Sequence, residues 1–244
     1  MVKKIESIKN LKVYPHILFS NRGTTAIVYR INANEVIKLY INSLRRDILF
    51  RTRDMNSLLE RLSKIKLNSF VSPKDIYVDE ANNILGYSMD YIKGSYTNRL
   101  DLDIYLDDLI EAIKKLDQDN RCISMENYSI IDLHEKDMKF DGEYFKIFDL
   151  DGGIFKVNNT YEDIYEANSQ IIKKVIVKGI YGVNSLKELN SNSLDFMNCY
   201  HKGTLLEMFE YIKKSTNSRC PTVNDARKVL RRNCVTYDNY YRMF

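Results

Sequence analysis

Residues 130–153 read IIDLHEKDMKFDGEYFKIFDLDGG, and the rest of the chain is read outward from them. Asp141-Gly142 is the dipeptide best suited to a type I′ turn, and an apolar-rich run lies on either side of it. Met138-Lys139-Phe140 is therefore predicted as the incoming strand of a hairpin, with residues 143–148 as the return strand. A hairpin carries both open ends to one edge of a sheet, so Asp132 and Asp137 are expected near Asp149. Acidic side chains gathered on loops repel one another unless a cation sits among them, and hard oxygen ligands suit Mg²⁺ or Mn²⁺. The competing reading is a solvated surface hairpin whose acids have no task.

Composition bounds the alternatives. The chain has 244 residues, enough for one large domain or two small lobes, and 44% hydrophobic with 29% charged residues describes a soluble globular protein. A net charge of +4, from 37 Lys and Arg against 33 Asp and Glu, is too weak a bias to argue for a nucleic-acid partner. The basic run at 227–232 and the tyrosines Tyr237, Tyr240 and Tyr241 read more simply as a solvated helix end and a packed aromatic tail. No apolar run approaches a membrane span, and the opening MVKKIESIKNLKVY carries no apolar signal core, so a cytoplasmic location is expected. The four cysteines are scattered without C-x-x-C spacing, which fits a reducing compartment better than a zinc site or a disulfide framework.

Upstream of the acidic stretch the pattern is β. Alternation at Ile27, Tyr29 and Ile31 and again over 36–40 predicts two strands joined by a turn at Asn32-Ala33-Asn34. Residues 71–78 and 84–92 read as two more, around a turn at 79–83, with a helical stretch over 45–66 between the pairs. Downstream the pattern is helical: 102–117, 161–178, and segments near 193–198, 204–214 and 222–232, the last starting after Pro221.

Asp132-Leu133-His134, then Asp137 five residues after Asp132, then Asp149-Leu150-Asp151-Gly152 resemble the catalytic and metal-binding loops of the protein-kinase-like superfamily. That group includes protein kinases and the aminoglycoside and choline phosphotransferases. The turn at 21–28 is similar to the family's glycine-rich loop, with Gly23 as the middle glycine and Val28 as the closing valine. Glu35-Val36-Ile37-Lys38 resembles the strand bearing the phosphate-holding lysine, and Met89 and Tyr91 stand where the family's hinge reads adenine through its backbone. Either Asp54 or Glu60 falls where the family has the helix acid that pairs with that lysine, Asp54 being preferred. Asp163 sits at the start of a helix whose N-terminal Asp, in the family, supports the catalytic loop.

The resemblance implies an α+β, bilobal, protein-kinase-like fold. Residues 1–92 would form a small antiparallel-sheet N-lobe, and residues 93–244 a mostly helical C-lobe. It also implies an enzyme using ATP with Mg²⁺ or Mn²⁺ to phosphorylate a hydroxyl on a protein or a small molecule. Lys38 would hold the phosphates, Asp149 and Asp137 the metal ions, and Asp132 would orient the acceptor and take its proton. Departures from the pattern are Ile130-Ile131 in place of His-Arg, Asp137 in place of Asn, one glycine of three, and no long activation segment between Asp149 and Asp163. Two other classes share the same residues: a nucleotide-binding pseudokinase scaffold, and a kinase-fold enzyme that transfers AMP.

Overall fold

In the computed structural model, which describes residues 2–5, 18–19, 26–40, 54–181 and 193–233, the alternating segments become strands and the chain is an α+β protein. It divides into two compact units, one formed by residues 1–92 with 148–154, the other by residues 93–147 with 155–244.

The first unit is built on a six-stranded sheet. Its strands are β1 (Val2–Lys4), β2 (Leu18–Phe19), β3 (Ala26–Asn32), β4 (Glu35–Tyr40), β5 (Ile76–Val78) and β6 (Ile84–Asp90), in the order β1-β5-β6-β4-β3-β2. All neighbours are antiparallel except β1 and β5, which run parallel. Strand β4 is buried on both faces, so its residues divide by the period of two. Ile37 and Leu39 join Tyr77 in an apolar cluster on one face, and Lys38 and Tyr40 take the other. The register then sets Val28 of β3 and Tyr87 of β6 directly beside Lys38. Gly86 is a glycine because a Cβ there would stand 2.1 Å from the Lys38 carbonyl oxygen, closer than real atoms approach. Helix α1 (Met55–Lys64) buries Met55, Leu58, Leu59 and Leu62, the spacing of one helical face.

The second unit carries the helices α2 (Leu106–Met125), α3 (Tyr161–Tyr181), α4 (Leu194–His201), α5 (Leu205–Lys214) and α6 (Val223–Asn233). It also has the short strands β7 (Ser95–Tyr96), β8 (Tyr128–Ser129), β9 (Met138–Phe140) and β10 (Phe145–Ile147). Helix α3 packs on α2, on α6 and on the 3-10 turn at Thr97–Arg99, where Gly179 lets it approach the Thr97 carbonyl. Helix α2 starts at 106, later than the apolar spacing predicts. Backbone groups at 102–106 are committed to Pro221 and the first residues of α6: Val223 and Asn224 donate to the carbonyls of Ile104 and Leu102, and Leu106 donates to the Pro221 carbonyl. The helix continues past 117 because Asn120 and Ile123 remain on its buried face, and Asn127, with φ +63°, turns the chain just beyond its end.

The hairpin is present, with β9 as predicted and a shorter return strand. Its turn differs from type I′. Asp141 Oδ1 accepts the backbone N–H groups of Glu143 and Tyr144, at 2.9 and 2.8 Å, and the Asp141 N–H donates to the Tyr144 carbonyl. A four-residue loop results, because the aspartate side chain takes the donors that a two-residue turn would leave to the strands.

Candidate active site

Lys38 is a buried charge of the first unit. Its Nζ donates to Asp149 Oδ1 and to both oxygens of Asp151, at 2.7 and 2.9 Å. Asp151 also accepts the Tyr40 hydroxyl at 2.5 Å and the Tyr87 hydroxyl at 3.0 Å. One ammonium, two carboxylates and two phenols thus share one face of the sheet. Asp151 is 7% exposed at its side chain and Asp149 43% exposed, so the two acids differ in access to solvent.

The electrostatics follow from this crowding. Burial works to lower the Lys38 pKa, but Asp151 and Asp149 outweigh it and hold the group firmly charged. Burial pushes the Asp149 carboxyl up, the Asp151 charge adds to the push, and Lys38 opposes both. Asp151 lies deeper, and burial pushes it up as well, yet the Lys38 charge and the hydrogen bonds to the carboxylate keep it below the usual carboxylate range. Tyr40 and Tyr87 are raised well above the ordinary phenol value by burial and by the neighbouring Asp151 charge, so they remain donors.

Asp149 has φ +70° and ψ +37°, the left-handed region that non-glycine residues rarely occupy. Asp is among the side chains that tolerate it, and the 3-10 turn at Leu150–Gly152, packed on α1, holds it there. Backbone strain of this kind is characteristic of sites whose side-chain direction matters.

The preferred helix acid is not at the lysine. Asp54 is exposed and is the N-cap of α1, its Oδ1 accepting the Ser57 N–H at 3.1 Å, and Glu60 is exposed on the same helix. The partners of Lys38 come from 148–154 instead. Asp54→Ala should therefore cost about 1 kcal/mol of stability through the lost cap, measured by denaturant unfolding of the folded protein. A loss above about 3 kcal/mol would mean that Asp54 has a further task.

Val28 and Met89 lie on the Lys38 face, Val28 paired with Lys38 and Met89 with Val36. The Tyr91 N–H is taken by the Asn34 carbonyl at 2.8 Å, so it is not available to an adenine edge in this arrangement, and the Tyr91 ring lies under the Arg30 guanidinium. Gly23 lies outside the described residues.

In the second unit Asp132 is exposed, with Oδ1 2.8 Å from His134 Nε2. Asp137 is 7% exposed, closes the 3-10 turn at Glu135–Asp137, and accepts the His134 N–H at 3.1 Å. Asp163 is not the support of this loop: it forms a reciprocal cap with Thr160 at the start of its own helix. The support comes from Asn168, fully buried one turn further along α3. Its Oδ1 accepts the Ile130 N–H at 2.8 Å, and its Nδ2 donates to the Tyr128 carbonyl at 3.0 Å. Lys178, two to three turns beyond, pairs with Glu135 at 2.5 Å. Helix α3 thereby holds the loop at 128–130 and again at 135.

Asp151, Tyr40, Tyr87 and Asn168 are the residues that motif reading left without a role. Among the described residues no group of three or more His, Cys, Asp or Glu side chains is gathered as for a metal ion. The half-exposed Asp149, crowded by a second carboxylate, nevertheless suits a hard divalent cation, since Mg²⁺ commonly takes one or two carboxylates and completes its shell with phosphate and water. No protein-family model matches the chain, and no curated protein matches it.

Proposed function

We propose that the chain is a phosphotransferase of the protein-kinase-like type, moving the γ-phosphate of ATP to a hydroxyl of a protein or a small molecule with Mg²⁺ or Mn²⁺. In this reading the first unit is the sheet lobe and the second the helical lobe. One observation carries it: a buried lysine on the last strand of the antiparallel run β2-β3-β4, bonded to the acid that opens the Asp149-Leu150-Asp151-Gly152 segment. Kinases carry their phosphate lysine on the third strand and their metal aspartate at such a segment.

The roles are then specific. Lys38 presents a positive charge to the α- and β-phosphates, and Asp149 with Asp137 would hold the cations. The cation, when bound, neutralises charge on the β- and γ-phosphates. Asp132 orients the acceptor hydroxyl and takes its proton. His134 holds one oxygen of that carboxylate, and the other has no protein partner among the described residues. Catalysis of this type is alignment plus electrostatics, so a few fixed charges suffice.

The melting temperature, measured with ATP, with Mg²⁺ or Mn²⁺ and with both, should rise most for the combination, because the acids of the site repel bare triphosphate. Equal shifts with and without cation would remove the metal role. ATP labelled at the γ-position should transfer its label to protein or small-alcohol acceptors. Transfer of an α-label instead would identify an AMP transferase, and binding without either would identify a scaffold.

A further inference from the structure

We propose that Asp151 is a positioning residue: it anchors Lys38 from within the metal-loop segment and so replaces an acid on helix α1. Four hydrogen bonds converge on its carboxylate, two from Lys38, one from Tyr40 and one from Tyr87. Asp151 is buried, whereas Asp149, the other partner of the lysine, is half-exposed. Both acids of α1 that could have taken the role point elsewhere, Asp54 into its own cap and Glu60 to solvent.

The two acids divide the work by their surroundings. Asp149 can exchange Lys38 for an incoming ligand, because part of its carboxylate already meets water. Asp151 has no such access and keeps Lys38 in place before and after that exchange. The tyrosines fix Asp151 in turn. Tyr40 stands two residues after Lys38 on the same face of β4, and Tyr87 is the register partner of Lys38 on β6. The anchor is therefore built from the sheet and the 148–154 segment, and α1 packs on the turn at Leu150–Gly152.

The first readout needs no nucleotide and does not depend on the phosphotransferase reading. Hydrogen-bonded, water-shielded lysine ammonium groups exchange slowly enough to give a ¹H–¹⁵N side-chain signal, which for Lys38 is assigned by its loss in Lys38→Arg. That signal should be present in the ligand-free protein, persist in Glu60→Gln and vanish in Asp151→Asn. Persistence in Asp151→Asn, or loss in Glu60→Gln, would overturn the anchor. Should Asp151→Asn fail to fold, Tyr40→Phe and Tyr87→Phe decide: faster ammonium exchange in each supports the anchor, and unchanged exchange in both refutes it.

The second readout rests on the phosphotransferase reading. Asp151→Asn should raise KM for Mg·ATP at least ten-fold in protein whose folded fraction is set by circular dichroism. A purely structural role would lower kcat through the folded fraction with KM unchanged, and that result sinks the positioning role. If wild-type protein does not bind Mg·ATP, the phosphotransferase reading falls, while the ammonium signal still decides the anchor.

Discussion

Asp132→Asn is expected to lower phosphoryl transfer by ~10²–10⁴-fold, or about 3–5 kcal/mol of barrier, with nucleotide affinity nearly intact. The substitution keeps the side chain's shape and removes the charge that, in the proposed phosphotransferase reading, orients the acceptor and accepts its proton. Asp132 is exposed and, among the described residues, bonded to His134 alone, so the described fold has little stake in that charge. The neighbouring acids should respond differently. In the proposed reading Asp149→Asn removes the principal cation ligand, so cation-dependent binding and turnover should fall together. Asp137→Asn should be the mildest, because an amide oxygen can still accept the His134 N–H that Asp137 accepts now. Steady-state kinetics with nucleotide binding measured separately distinguishes the three. Full activity of Asp132→Asn at saturating substrate would mean that the catalytic loop has been misassigned.

Asn168→Ala should cost about 3–5 kcal/mol of stability. The Ile130 N–H and the Tyr128 carbonyl would each lose the hydrogen bond that they make with this buried amide side chain, at about 1–3 kcal/mol apiece, and a cavity would remain. Because these bonds hold the chain immediately before Asp132, the surviving folded protein should also lose turnover. Denaturant unfolding reads the first effect and kinetics on folded protein the second. A stability loss below about 1 kcal/mol would show that the loop at 128–130 is held by other groups.

The sequence shows some of this directly, and the reason lies in how local each feature is. Period-two alternation exposes β3 and β4, and Asp141-Gly142 marks the hairpin, because both depend on neighbours in the chain. The turn type is misjudged because an aspartate preceding glycine can also cap the loop with its own side chain. The start of α2 is displaced by backbone bonds to residues near 221–224, which no local pattern encodes. At the candidate site, motif order points to Lys38 and Asp149, and the structure brings these two side chains together. The role of Asp151 is not, since it depends on a strand register that sets Tyr87 beside Lys38. The assignment of Asp163 had a readable objection: Thr160-x-x-Asp163 is itself a capping-box pattern, which commits the aspartate to its own helix. Asn168, a polar residue on an otherwise apolar face of α3, was the available signal for the true support.

The parallel pairing of β1 with β5 bears on how the protein behaves in solution. Strand β5 is three buried residues, Ile76–Val78, and β1 satisfies its outward backbone groups while turning its own side chains to water. Lys3, paired with Asp75 at 2.6 Å, adds the charge that discourages a further strand from joining that margin. Deleting residues 1–5 would uncover a short, apolar ribbon edge of the kind that recruits other chains. The truncated protein should self-associate at concentrations where the full chain stays monodisperse by light scattering. An affinity tag at this end therefore sits against a structural strand.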